Sequence, residues 1–257
     1  MSTSFKNMTP EAKRAYIQKD ITDALDESLE NTRKAALNQM TLISQIMQDV
    51  ELESGRVLHP YTDLPVAGQT SFVVQGLSIT KTQTVAVVDL ADETIEDMNP
   101  MVGPRDCLTT LLGQVLAKDM EKNFVDAVRA DATIPAAPGG AATWAGLKAI
   151  IADMGPNVFN TVGPIIFAVS LTDYLDLIST DALSDAKDFL DKKIRIVTSE
   201  HLAAGEVLAY HTHGVAGGFT PLTIGFEREG GKQNTALIGG YSYGYAWDTK
   251  YIRFVTA

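Results

Sequence analysis

The chain has 257 residues, of which 45% are hydrophobic and 21% are charged. This composition is typical of a folded globular protein with one domain or two interlocked lobes, and it excludes a disordered or fibrous protein. No apolar run has membrane-spanning length and the N-terminus lacks the apolar core of a signal peptide, so neither membrane insertion nor secretion is expected. The formal net charge of −11 argues against a chain that grips nucleic acid through a basic groove. The single cysteine, Cys107, lies near the start of an apolar helical pattern and is predicted to be a small core residue.

The first fifty residues have the pattern of one long helix. Thr9 is the predicted N-cap and Pro10 the first helical residue. A narrow apolar stripe follows at four-residue spacing, formed by Ile17, Ile21, Leu25 and Leu29. Because so narrow a stripe buries little against its own domain, we predict that these four side chains contact another subunit. The alternative is a loosely attached, partly frayed arm.

From about Gly55 to Pro100 the pattern changes to extended chain and hairpin. The segment 66–84 combines strand formers such as Phe72 and Val74 with Gln and Thr, and it holds few large apolar residues. Two strands without a packed face are marginal alone in water. The hairpin is therefore predicted to project and to pair with another chain, with Phe72 and Val74 at the contact.

The clearest element is a helix over residues 105–131, where apolar residues recur at three- and four-residue spacing. Further helices are predicted over residues 143–154 with Thr143 as cap, from the cap Thr172 onward, and over 181–190. Strands are predicted between and after them, at residues 165–169, 194–198, 206–211, 222–227, 236–247 and 251–255. Helices and strands mix without a regular βαβ repeat, which predicts the α+β class.

The sharpest metal-like motif is His211-Thr-His213. Two residues apart on a strand, both imidazoles could face one zinc or iron, with His201 or Glu206 as a third ligand. The favoured interpretation is a pair of surface histidines at a strand end, so no metal is predicted. Further along the chain, Tyr241, Tyr243, Tyr245 and Trp247 alternate along one predicted strand. This aromatic row either stacks on bases or sugars or packs on a helix or sheet, and the large area of such side chains favours packing.

No catalytic motif is present in the sequence. The glycine pairs do not form a phosphate loop, no Gly-x-Ser-x-Gly elbow occurs, and Cys107 has no obvious base beside it. We therefore predict no catalytic residue, no cofactor and no enzymatic activity.

The order of elements resembles the Hong Kong-type capsid fold of the major capsid proteins of tailed bacteriophages. That family has an N-terminal arm, an extended E-loop, a long spine helix in a peripheral (P) domain, and an axial (A) domain. The closing segment 237–248, an apolar run followed by Tyr-Gly, is similar to the family's final strands. The resemblance covers nearly the whole chain and lies in the pattern and order of elements rather than in one motif.

The resemblance implies a division of the chain into five segments. These are an arm at 1–55, an E-loop hairpin at 56–84, a P-domain at 85–135 with its spine helix at 105–131, an A-domain at 136–220, and closing strands of both domains at 221–257. The chain is short for the family and begins without a long prodomain, so scaffolding is expected from a separate protein or not at all.

The implied function is self-assembly, through pentamers and hexamers, into the icosahedral head that encloses a phage genome. Double-stranded DNA would be held without sequence-specific contact, and scaffolding, portal or decoration proteins are further implied partners. The implied location is the virion, after synthesis in the host bacterial cytoplasm. Encapsulin nanocompartment shells share the fold and are the alternative; a small metal-dependent enzyme using His211 and His213 is the more distant one.

Overall fold

The computed structural model describes residues 8–44, 46–48, 56–62, 74–80, 82–91, 104–137, 142–179, 193–228 and 234–256. The chain divides into two compact units, each assembled from three separate stretches. Unit 1 comprises Met1–Met40, Thr82–Met120 and Phe219–Tyr243; unit 2 comprises Thr41–Lys81, Glu121–Gly218 and Gly244–Ala257. Among the described residues, no helix is long and apolar enough to cross a lipid bilayer.

The N-terminal region forms two helices, α1 (Pro10–Asp23) and α2 (Leu25–Gln39), rather than the single long helix predicted. Thr9 caps α1 as expected, because its hydroxyl accepts a hydrogen bond from the Ala12 N–H at 3.3 Å. The two helices are separated at Ala24, whose backbone (φ −127°, ψ 47°) is not helical. The apolar stripe therefore ends at Ile21, and α2 buries a different, small-residue face formed by Ser28, Thr32 and Ala36.

The long helix α3 (Pro104–Ala130) agrees with the predicted span to within one residue at each end. Its buried side chains follow the predicted three- and four-residue spacing; they include Leu108, Leu112, Leu116, Met120, Phe124 and Val128. Cys107 is exposed, so the prediction of a core cysteine is wrong. The apolar face of α3 begins at Leu108, and its neighbour Cys107 points away from that face.

Strand β4 (Thr82–Ala91) pairs antiparallel with β9 (Asn234–Trp247), from Thr82 opposite Tyr243 to Ala91 opposite Asn234. Two further strands, β1 (Met47–Gln48) and β8 (Val215–Arg228), complete a sheet of order β1–β8–β9–β4. Among the described residues, β4 is consequently an edge strand of this sheet.

A second sheet of order β10–β7–β5–β6 forms the centre of unit 2. Its strands are β5 (Ile165–Val169), β6 (Ile194–Thr198), β7 (Val207–His211) and β10 (Ile252–Val255). All five residues of β5 and of β7 are buried, because helix α4 (Trp144–Asn160) and helix α5 (Leu171–Ser179) cover the sheet. The mixture of helices with parallel and antiparallel pairs confirms the predicted α+β class.

Two helix ends in unit 2 test the predicted capping. Thr143 caps α4, accepting from the Gly146 N–H at 3.1 Å. The predicted end at residue 154 is wrong, because Gly155 (φ 85°) only interrupts the helix, which continues to Asn160. For α5 the predicted cap, Thr172, is wrong. The Asp173 N–H donates to the Ser170 hydroxyl at 3.2 Å, so the helix begins two residues earlier. The helix predicted at 181–190 lies outside the described residues.

A third, two-stranded sheet lies in the segment for which a hairpin was predicted. Strand β2 (Arg56–Thr62) pairs antiparallel with β3 (Val74–Thr80), from Arg56 opposite Thr80 to Thr62 opposite Val74. Among the described residues no third strand joins this pair. Ile79 is buried in the apolar core of unit 2, whereas residues from Thr82 onward belong to β4.

Candidate functional site

The six predicted contact residues have different environments. Ile17 and Ile21 are buried within the chain itself, which leaves little of either side chain for a neighbour, whereas Leu25 is exposed and Leu29 half-buried. Val74 begins β3, with its side chain outside the described part of the structure, and Phe72 lies outside the described residues altogether. Contact of these residues with a second copy stays a prediction. Among the four N-terminal residues, Leu25 and Leu29 have the most side-chain surface left for such a contact.

A stripe of exposed apolar side chains lies on helix α5. Leu171, Leu175 and Ile178 are 61%, 52% and 43% exposed, and their spacing of four and three residues places them on one face. The opposite face is anchored by Leu177, which is buried in the core of unit 2. An apolar helix stripe left in water is typical of an interaction surface.

The helix that carries this α5 stripe is held rigidly in unit 2. The Ser170 hydroxyl donates to the Asp173 carboxylate at 2.7 Å, and the same carboxylate accepts from the Gly205 N–H at 2.9 Å. At the other end, the Trp144 indole N–H donates to the Leu177 carbonyl at 3.1 Å. Because both ends of α5 are fixed, its outward stripe is presented without an ordering cost.

A second exposed apolar patch lies on the edge strand β4 of unit 1. Val85 and Val87, which alternate with the buried Ala86, are 55% and 53% exposed. The buried face of the pair packs closely, since a Cβ placed on Gly239, opposite Ala86, would lie 2.8 Å from Leu112 of α3. No described strand pairs with the outer edge of β4, so this edge and the outward face together form a surface on which another strand can add.

The aromatic row packs on α3, as the sequence favoured. In unit 1, the buried Tyr241 donates its phenol proton to the Asp119 carboxylate, and its ring lies 5.7 Å from that of Tyr243. Burial raises the pKa of Tyr241, and hydrogen bonding to Asp119 raises it further. Tyr241 is therefore a core residue with a satisfied hydroxyl and offers no stacking platform.

In unit 2, the last two residues of the row enclose Phe124 of α3. The Tyr245 and Trp247 rings lie 5.1 Å and 6.1 Å from the Phe124 ring. The Trp247 indole N–H donates to the Asp131 carboxylate at 2.9 Å, which fixes the strand against the end of the helix. These aromatic contacts are structural.

The two histidines are not the surface pair predicted from sequence. His211 is fully buried at the end of β7, because the turn to β8 folds over it, and its Nδ1 accepts from the backbone N–H of His213 at 3.0 Å. Burial is the main reason that the pKa of His211 falls to about 4. Glu206, one of the two third ligands considered beside His201, instead binds the Arg129 guanidinium at 2.8 Å. No group of three potential ligands that could hold a metal occurs in the described part of the chain.

Sequence reasoning missed both exposed patches, the α5 stripe and the β4 valines. The spacing of Leu171, Leu175 and Ile178 was available as a signal, but the same helix carries Leu177 on another face. Periodicity identifies apolar faces, and only the tertiary structure shows which of two faces is covered.

Comparison with known proteins finds no matching family model and no matching curated protein. Solved structures do match over most of the chain. The virus-like particle from Pyrococcus furiosus is 11% identical, covers 90% of this chain and 98% of its own, and has a TM-score of 0.60. A structure from Mycobacterium phage Che8 is 15% identical, covers 84% and 91%, and has a TM-score of 0.55. The satellite phage P4 procapsid including the size determination (Sid) protein is 10% identical, covers 86% and 96%, and also scores 0.55.

These similarities show the fold of the chain. It is the Hong Kong-type capsid fold, as the order of elements in the sequence predicted. At identities of 10–15% the match concerns the backbone arrangement, and the residues that form contacts between copies have to be found on this chain itself.

Proposed function

We propose that this protein is a shell subunit, the major capsid protein of a tailed bacteriophage, whose copies assemble through pentamers and hexamers into an icosahedral head. The observation that carries the proposal is the fold, which matches a virus-like particle and a procapsid over nearly the full length of both. The chain then acts as a structural protein and not as an enzyme. Its implied location is the virion, after synthesis in the cytoplasm of a host bacterium.

The two exposed apolar patches support self-association. Burying the exposed half of a leucine side chain gains about 1 kcal/mol, so the three residues of the α5 stripe contribute about 3 kcal/mol per contact. The β4 valines add a similar small amount, together with a strand edge that no described residue pairs with. Neither patch is large enough for a stable dimer alone, which suits a shell where each copy makes several weak contacts at once.

The hairpin β2–β3 is proposed as the E-loop and residues 1–55 as the arm. The hairpin lacks a third strand among the described residues, and two strands alone are marginal in water, so a neighbour's surface is the expected support. Phe72 and Val74 in the hairpin, and Leu25 and Leu29 in the arm, are the proposed contact residues. The P-domain at 85–135 and the A-domain at 136–220, with closing strands at 221–257, complete the proposed division.

The proposed content of the shell is double-stranded DNA, held without sequence-specific contact, since a net charge of −11 provides no excess of cations for gripping phosphate. Scaffolding, portal and decoration proteins are proposed partners. An encapsulin-type shell around protein cargo is the second candidate, because a virus-like particle is among the matching structures. Nuclease-protected DNA inside purified particles would support the phage head, whereas protein cargo without nucleic acid would support the second candidate.

Assembly is tested by electron microscopy and light scattering of the purified protein, in wild type and in the double variant Leu171→Asp/Leu175→Asp. We expect closed particles from the wild type and folded subunits or capsomers from the double variant, because charges replace the α5 stripe. The matched control, Thr172→Asp, places a charge at an exposed polar position of the same helix and should still assemble. A wild-type chain that stays monomeric at all concentrations and in the presence of phage partner proteins would refute the proposed function. Normal particles from the double variant would refute only the role of α5.

A further inference from the structure

His211 is a fully buried imidazole at a junction of three chain segments in unit 2. Its own N–H donates to the Tyr251 carbonyl at 2.9 Å, and its carbonyl accepts from the Gly214 N–H at 3.1 Å. Next to it, the Thr212 N–H donates to the Pro164 carbonyl at 3.2 Å. The turn 211–214 thus ties the loop 161–164 and the turn 248–251 to the end of β7.

The hydrogen bonds of the ring define its protonation state. Nδ1 accepts from the His213 backbone N–H at 3.0 Å, so the proton of the neutral ring is on Nε2. Nε2 is buried and has no hydrogen-bond partner among the described residues. The imidazole therefore contributes one hydrogen bond to the turn, and only while Nδ1 carries no proton.

Burial opposes a positive charge on the ring, and it outweighs the backbone groups of Thr161 and Gly163, which favour that charge. The ionisable groups that face it are the His213 imidazole from the turn, the Lys193 ammonium from the chain before β6, and the Tyr251 phenol from the turn 248–251. The first two oppose a charge on His211. The loop 161–164 carries no ionisable side chain and lies tightly against the ring, since a Cβ on Gly163 would be 3.2 Å from the His211 Cε1.

We propose that the turn 211–214 is an acid-sensitive latch, closed while His211 is neutral and opened when the imidazole takes up a proton from solvent at Nδ1. Protonation turns Nδ1 from acceptor into donor, so it faces the His213 N–H and the hydrogen bond between them is lost. The buried imidazolium reaches water only if the turn moves away. Opening then also releases the Thr212–Pro164 hydrogen bond and the bond from the Asp248 N–H to the Gly214 carbonyl.

The size of the effect follows from the difference between the closed and open states. In the open turn the imidazole has its ordinary pKa near 6.5, and in the closed turn the pKa is about 4. Because the closed state binds the proton less tightly, its advantage is complete above pH 6.5 and decreases as the pH falls toward 4. The opening equilibrium constant rises by up to about tenfold per pH unit in this window, and the total increase approaches roughly 300-fold only below pH 4.

The test combines histidine NMR with hydrogen exchange on the full chain between pH 7 and pH 4, with exchange rates corrected for their intrinsic pH dependence. In the wild type we expect the His211 ring to be protonated at Nε2 near neutral pH. Protection of the amides of residues 211–214 should fall steeply below pH 6.5, while β5 stays protected. The variant His211→Asn places an amide oxygen near the position of Nδ1, so the turn keeps an acceptor that does not titrate and its protection should be independent of pH. His201→Asn, which removes another imidazole of unit 2, should behave as the wild type.

Two results would overturn the latch. One is a wild-type His211 that titrates near pH 6.5 without any loss of protection at the turn. The other is an acid response of the same size in His211→Asn. If that variant does not fold, the wild-type NMR titration and exchange data decide by themselves, because the latch requires both the lowered pKa and the local opening.

Discussion

Gly113 provides the sharpest test of how helix α2 is held in unit 1. It lies in the middle of α3, where glycine lowers helix stability by about 1 kcal/mol relative to alanine. A Cβ at this position would lie 2.6 Å from both the Ala35 Cβ and the Thr32 carbonyl oxygen of α2. The glycine thus allows the two helices to approach closely.

The variant Gly113→Ala separates two opposing effects. If α2 packs on α3 as described, the added methyl forces a backbone carbonyl and a neighbouring Cβ to move by about 1 Å, and overpacking of this kind costs about 1–3 kcal/mol. Against this, helix propensity gains about 1 kcal/mol. The expected net change is a loss of up to about 2 kcal/mol in the free energy of unfolding, together with detachment of α2.

Urea unfolding measures the net change, and hydrogen exchange over Leu25–Gln39 measures the detachment. The control Gln114→Ala alters the adjacent, exposed position of the same helix and should change stability by less than about 0.5 kcal/mol. If Gly113→Ala instead stabilises the chain by about 1 kcal/mol and leaves the protection of α2 unchanged, the higher helix propensity of alanine explains the whole effect. The close helix contact would then be refuted.

Two further predictions concern charge and metal. Burial acts to raise the pKa of Glu206, but the Arg129 guanidinium and the Ala203 N–H outweigh burial and hold this pKa below 4.5. The ion pair therefore stabilises the fold fully above pH 4.5, and this stabilisation is lost as the pH falls through the lowered pKa of Glu206. Arg129→Met should lower the midpoint of urea unfolding at pH 7 and flatten its dependence on pH below 4.5, and an unchanged acid profile would contradict the pairing. Since Glu206 is engaged and His211 is buried, chelators should alter neither assembly nor stability. Elemental analysis that finds one zinc or iron per chain would reopen the metal-dependent alternative.

The sequence by itself determined the elements whose signals are local. Thr9 and Thr143 were identified as caps because a hydroxyl before an apolar period can accept a free helix N–H. The span of α3 and the α+β class followed from long, regular periodicity, and the order of elements predicted the fold that the matching structures share. The same reasoning failed at Ala24, where a non-helical backbone divides a pattern that reads as continuous.

Only the tertiary structure decided which faces are covered and which residues meet. Both compact units are assembled from separated stretches, so no boundary in the sequence marks them. The apolar face of α5 is exposed because another face of the same helix, at Leu177, is the one buried. His211 is buried rather than exposed because Gly163, Lys193 and Tyr251, which are distant along the chain, pack around its side chain. Burial depends on such long-range contacts, and a two-residue motif does not encode them.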